Sequence, residues 1–161
     1  MTTEHTTEGL IGASLRRVED PPLMTGKGCY VDDINLPGML YLAFQRSAYP
    51  HAKILSIDTS AAKAMPGVEL VITGSDLSEK LNLLSSQVLP NMKIPPHPVL
   101  ARGAVHCAGD PVAAVVARTR AQAQDAANAI DVEYEALPSI ANAEDAAKPG
   151  APLAREEIDS N

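Results

Sequence analysis

At 161 residues, 45% hydrophobic but only 3% aromatic, the chain suffices for one domain whose core is built from Ala, Val, Leu and Ile. A net charge of -7 and scarce aromatic rings exclude the basic, stacking surfaces that nucleic acid requires. The two cysteines, Cys29 and Cys107, lie far apart without CxxC spacing, which excludes a disulfide scaffold or zinc ribbon and predicts two reduced thiols in a cytoplasmic protein.

The opening MTTEHTTEGL has no basic segment leading into an apolar one, and no stretch approaches the roughly 18 apolar residues of a membrane span. Residues 1–11 are read as a flexible leader, with order beginning near Ile11. Residues 12–152 form the domain, and 153–161 a polar C-terminal tail. Pro21-Pro22 is expected to stop regular structure after Arg16, Arg17, Glu19 and Asp20, leaving this stretch extended along a surface. Gly26-Lys27-Gly28 invites a phosphate-cradling reading, but the predicted element after it is a strand, Cys29–Ile34, where a P-loop needs a helix. Asp32-Asp33 offers two carboxylates that a strand would point to opposite faces, so a shared metal is not expected.

Leu36-Pro37-Gly38-Met39 is a turn leading into an alternating strand over 40–47. Leu40, Leu42 and Phe44 share one face, and the only Phe is expected in the core. Arg46, Ser47, Tyr49 and His51 crowd the following loop end, without an evident nucleophile, ligand spacing or second histidine. A strand over 53–57, a helix over 61–65 capped from Asp58-Thr59-Ser60, and a strand over 68–73 make one strand–helix–strand unit. A short helix capped by Ser75 is expected over 76–80. Beyond it, Leu83, Leu84, Val88, Leu89, Met92 and Ile94 lie in a Pro-broken segment, where so many apolar residues predict a partner surface.

The stretch 104–135 is a second strand–helix–strand unit. Val112–Ala117 is apolar without alternation, as a strand covered on both faces is. Thr119 caps a helix whose stripe is Ala121, Ala126, Ala127 and Ile130, and residues 131–135 alternate as a half-exposed strand. Asn142 caps a last short helix over 143–148. His106-Cys107 could pass for a Cys–His pair, but strand neighbours diverge and no third group is evident. No residue is assigned a catalytic, cofactor-binding or metal-binding role.

Two long phrases, GASLRRVEDPPLMTGKGCYVDDINLPGMLYLAFQRSAYPHAKILSIDTSAAKAMPGVELVITGSDL and GDPVAAVVARTRAQAQDAANAIDVEYEALPSI, together resemble one family. It is the N-terminal α/β-hammerhead domain of the molybdenum-binding large subunit of the xanthine dehydrogenase, aldehyde oxidase and carbon monoxide dehydrogenase family. The resemblance implies an α+β fold, with small helices packed on mixed bent sheets. It also implies an oxidoreductase complex with molybdopterin cytosine dinucleotide, [2Fe–2S] clusters and FAD, none of them held by this chain. In that family a much larger region carries the pterin contacts and the general-base glutamate, and no residue here matches such a motif. The expected role is therefore structural: an assembly domain packing on a molybdenum-cofactor domain or subunit, alongside iron–sulfur and flavin subunits. A free-standing binding module derived from the domain is the alternative, and an independent enzyme using Asp32, Asp33, His51 or His106 is a third class.

Overall fold

The computed structural model describes residues 14–83 and 88–161. The expected leader over 1–11, the start of order near Ile11 and Leu84 lie outside the described residues. The chain divides into two compact units, residues 1–39 and 40–161.

In the first unit a short helix, α1 (Asp20–Met24), forms where the proline pair was expected to stop regular structure and leave the stretch extended. The reason is position: both prolines fall in the first turn, where a backbone N–H has no helical partner to lose and a fixed φ favours the helix. Thr25 closes the end by donating its hydroxyl to Pro21 O at 2.8 Å. Gly26 then leaves the helix at φ +69°, so Gly26-Lys27-Gly28 follows a helix rather than introducing one. The expected strand over 29–34 is instead a 3-10 turn, Val31–Asp33. Asp33 accepts the Tyr30 N–H at 2.9 Å, a local bond that replaces the ladder a strand would need.

The second unit is two three-stranded antiparallel sheets. Their strands are β1 (Tyr41–Arg46), β2 (Ala52–Asp58), β3 (Val68–Thr73), β4 (Ala104–Val105), β5 (Pro111–Ala117) and β6 (Asp131–Ala136). The first sheet has the order β1-β5-β3 and the second β4-β2-β6. Helices α2 (Ser60–Ala64) and α3 (Arg120–Asn128) join β2 to β3 and β5 to β6. Both strand–helix–strand units therefore exist, and each passes from one sheet to the other.

β5 is the centre of the first sheet, and Val112, Ala113, Val115 and Ala117 are fully buried, which explains its unbroken apolar run. Ala62 of α2 and Ala126 and Ala127 of α3 pack on Val71, Ala113 and Val115, small side chains bringing helix and sheet close. Thr119 caps α3 by accepting the Gln122 N–H at 3.2 Å. The buried stripe is Ala123, Ala126, Ala127 and Ile130, at i, i+3, i+4 and i+7; Ala121, expected in it, is exposed. A second cluster, Ala52, Ala101, Val105 and Val112, lies under β2, and half-buried Ile57 and Val132 pack against both clusters.

Three further expectations are corrected. Ala43 lies against the helix-covered cluster, so the face of β1 that carries Leu42 and Phe44 is the open one. Both faces of this strand are largely apolar, so alternation alone does not say which is inward. The helix expected over 76–80 is a 3-10 turn, Gly74–Asp76. Asp76 takes both the N–H and the hydroxyl of Thr73, at 2.7 and 2.8 Å, tightening the turn one step earlier. The last helix, α4 (Ala143–Ala146), is capped by Asn142 as expected but stops before Lys148.

The proline-broken segment is closed at its base by Leu83 N–H donating to His97 O at 2.7 Å. Leu81, Leu83, Val88, Leu89, Met92 and Ile94 are all exposed. Among the described residues no helix is long and apolar enough to cross a membrane.

Candidate functional site

The polar side chains of the second unit converge where the loop after β1 meets the turn before β5. Ser47 N–H donates to Asp110 O at 2.9 Å, Gly109 N–H to Ser47 O at 2.8 Å, and Arg46 Nη1 to Gly109 O at 2.8 Å. Gly109 sits at φ +94°, a conformation that side chains other than glycine avoid. The Gly109-Asp110-Pro111 turn thereby brings Arg46, Ser47 and His51 beside His106 and Cys107.

Asp110 organises the cluster. Its Oδ2 accepts the His106 and Cys107 N–H groups at 2.7 and 3.1 Å, and its Oδ1 accepts the Cys107 thiol at 2.8 Å. Burial alone would raise its pKa, but the Cys107 thiol and the two backbone donors outweigh burial and hold it below the ordinary carboxylate value. The same contact works oppositely on Cys107: accepting its proton in a hydrogen bond, Asp110 pushes the thiol pKa up, with burial adding to the effect. A nucleophilic cysteine needs the reverse shift, toward thiolate, so this Cys–His neighbourhood is not poised for attack.

The second histidine that the loop-end cluster lacked in sequence is supplied by the fold. His51 and His106 stack with ring centroids 5.5 Å apart. Each spends Nδ1 on a carbonyl, which can only accept, so Nδ1 carries the proton: His51 donates to Pro138 O at 2.9 Å and His106 to Ala154 O at 3.0 Å. Burial first, then the Arg155 charge, lower the His106 pKa. Both rings thus pin the segment beyond β6. Tyr49 packs on Tyr134 at 5.0 Å, and burial raises the pKa of the Tyr134 hydroxyl, which Ser47 at its side partly counters.

Beside this cluster is an open cleft of about 200 Å³, lined among others by Glu79, Arg102, His106, Asp110, Arg155 and Glu157. Arg102 Nη2 donates to Leu77 O at 3.0 Å and Ser78 O at 2.5 Å, while its Nε is buried without a partner among the described residues. Arg155 Nη1 donates to Pro96 O at 2.9 Å. A pterin dinucleotide carries a diphosphate and a metal. Here both guanidinium groups bond backbone carbonyls and share the cleft with three carboxylates, a donor set that does not fit such a polyanion. Among the described residues no group of three or more His, Cys, Asp or Glu could hold a metal ion.

Of the residues singled out in sequence, Arg46, Ser47, Tyr49, His51, His106 and Cys107 come together here. Asp32 and Asp33 belong to the first unit, where Asp33 caps its own turn. Asp110, Arg102 and Arg155 were missed. An Asp three to four residues after His-Cys, inside a Gly-Asp-Pro turn, was the available signal for Asp110, since such a carboxylate reaches back to the preceding N–H groups. Nothing local announced the two arginines.

The sequence model of the family described as aldehyde oxidase and xanthine dehydrogenase, a/b hammerhead domain, matches residues 25–138. The carbon monoxide dehydrogenase large chain of Afipia carboxidovorans is 46% identical over 148 residues, covering 92% of this chain and 18% of that one. Among solved structures, quinoline 2-oxidoreductase from Pseudomonas putida 86 superposes with a TM-score of 0.85 at 41% identity, over 93% of this chain and 19% of its own. The Cu,Mo-CO dehydrogenase in its carbon monoxide reduced state gives 0.78 at 43% identity, over 91% and 18%. The chain therefore spans less than a fifth of the length of these relatives.

Proposed function

The chain belongs to the aldehyde oxidase and xanthine dehydrogenase a/b hammerhead domain family, and from that premise we propose that it is the assembly domain of a molybdenum hydroxylase. It packs against the polypeptide that holds the cofactor and takes no part in the chemistry itself. The observation that carries the reading is the match to one region of much larger oxidoreductase chains, at 41% identity and a TM-score of 0.85 over 93% of this chain. The chemistry of the polar cluster supports it: a thiol held protonated, two histidines tied to backbone carbonyls, and guanidinium groups already engaged.

In this reading no residue of the chain is catalytic, cofactor-binding or metal-binding. Molybdopterin cytosine dinucleotide supplies the oxidising centre from the remaining large-subunit polypeptide. The [2Fe–2S] clusters and FAD lie in further domains or subunits, and the complex works in the cytoplasm. The word "large chain" in the name of the Afipia carboxidovorans relative supports partner subunits in general.

The test is purification in two forms. Alone, the chain should contain no molybdenum by elemental analysis, no pterin fluorescence and no oxidase turnover. Made in its native cells, it should be recovered with a polypeptide that contains both. Tightly bound pterin or turnover in the isolated chain would overturn the assembly reading.

A further inference from the structure

The first sheet has one face covered by helices and one that is not. Strand register places two rows of three side chains on the uncovered face: Leu42, Val116 and Leu70 in one row, Phe44, Ala114 and Ile72 in the next. All six are apolar. Leu42 and Leu70, at the two outer strands, are 56% and 50% exposed, Phe44, Ile72 and Val116 are half-buried, and Ala114 between Phe44 and Ile72 is shielded to 3% exposure. The opposite face of the same strands holds Ala43, Val71 and Val115 against α2 and α3. A sheet with one wet face normally alternates apolar with polar residues. This one is apolar on both sides.

We propose that this face, centred on Leu42 and Leu70, is the surface that seats the cofactor-holding polypeptide of the large subunit. The inference rests on the assembly reading and specifies where the contact lies. Two observations choose the occupant. The relatives carry more than four-fifths of their length beyond the matched region, so a much larger polypeptide accompanies this fold in each of them. A second copy of the chain is the poorer occupant, because two half-exposed leucines and their shielded neighbours offer a patch on the order of 300 Å², well below the roughly 800 Å² per partner that a stable dimer buries. Contact with a polypeptide held nearby by other segments does not have to meet that size, since its association is already favoured by proximity. The face is also sided. Arg46 lies over the Phe44 ring at 5.4 Å, and Arg118 pairs with Glu69 at 2.6 Å, giving the apolar rows a charged margin of the kind that rims an interface.

The experiment uses the protein expressed from its natural coding sequence in its own cells, with a photo-crosslinking amino acid at Leu42, Leu70, Leu55 or Leu89. Leu55, on the second sheet, and Leu89, in the proline-broken segment, are the exposed apolar controls. After irradiation, crosslinked peptides are identified by mass spectrometry. Links from Leu42 and Leu70 into a molybdenum-containing polypeptide, at least tenfold more abundant than from Leu55, support the proposal. Links to that polypeptide from Leu55 or Leu89 only would overturn the assigned face while leaving the assembly reading intact. Links from Leu42 and Leu70 to a second copy, or to a polypeptide without molybdenum, would overturn the occupant. No link to a molybdenum polypeptide from any position would overturn both. As a second measurement, the pair Leu42→Lys and Leu70→Lys should reduce recovery of the cofactor polypeptide at least tenfold, while Leu55→Lys preserves it. Equal recovery with both variants would refute the assignment.

Discussion

Replacing Asp110 by alanine is the sharpest test of how the polar cluster is built. The carboxylate accepts two backbone N–H groups and one thiol, at 2.7, 3.1 and 2.8 Å. A hydrogen bond to a charged group contributes about 1.5–3 kcal/mol when shielded, and less where solvent can substitute, as at exposed Cys107. The thiol is a weak donor. Counting the two N–H bonds at about half their shielded value, Asp110→Ala should cost about 1.5–3 kcal/mol, and Asp110→Asn, which keeps a neutral acceptor, about 1 kcal/mol. For a chain of this size that loss corresponds to about 3–12 °C in Tm, readable by thermal or urea denaturation.

A second readout separates this cause from mere loop loosening. In a Cys29→Ser background Cys107 is the only thiol, and its alkylation follows the thiolate fraction. Since Asp110 holds the thiol pKa up, Asp110→Ala should shift the pH profile of alkylation downward. An unchanged profile together with a stability change under about 0.5 kcal/mol would refute the arrangement.

Three further outcomes are expected. Gly74→Ala places a Cβ 2.3 Å from Ala101 O, a backbone atom with no rotamer to escape into, and should cost at least about 2 kcal/mol in urea denaturation; a neutral result would show that the strand end yields. His106 has a folded pKa below its ordinary 6.5, through burial and then Arg155, partly countered by Ala154 O and Glu157, so the unfolded chain takes up the proton first. Stability should accordingly fall as pH drops below 6.5 and level off below the folded pKa, and His106→Gln should flatten that slope in urea midpoints measured across the interval. Tyr134→Phe removes a buried hydroxyl that faces Ser47 without a well-formed hydrogen bond and should change stability by less than about 1 kcal/mol in the same assay; a larger loss would show that the Ser47 contact is a full bond.

What could be read from the residues was whatever local patterning controls. The unbroken VAAVVA run marked a strand at the middle of a sheet, and β5 is central with Val112 and Val115 fully buried; the cover expected on both faces is found as helices on one face only. Thr119 and Asn142 marked helix starts because a side-chain oxygen beside the first free N–H groups is a local matter. The family resemblance, carried by two long phrases, agrees with the matched hammerhead model. Illegible features depended on partners distant in sequence. Leu42 and Ala43 are equally plausible inward residues until α3 is known to lie on one side. His51 and His106 meet only after β2 and β4 pair through Ala52 and Val105. Pro21-Pro22 was misread for a different reason: the same residues end a helix or begin one according to which turn they occupy.

The passage of each strand–helix–strand unit between sheets has a kinetic consequence. Neither sheet can close from neighbouring segments: the first needs Tyr41 against Ala117, and the second needs Asp58 against Asp131. Every ladder except the two-residue contact of β4 with β2 must bind β5 or β6, which arrive late in the chain. Loop closure therefore precedes almost all of the stabilisation, the high-contact-order regime in which folding runs in milliseconds to seconds rather than microseconds. A nascent chain exposes its apolar strand segments until β5 and then β6 arrive, and only then can both sheets form. The two sheets are thus tied together in folding, since neither closes its main ladders before β5 and β6 have arrived.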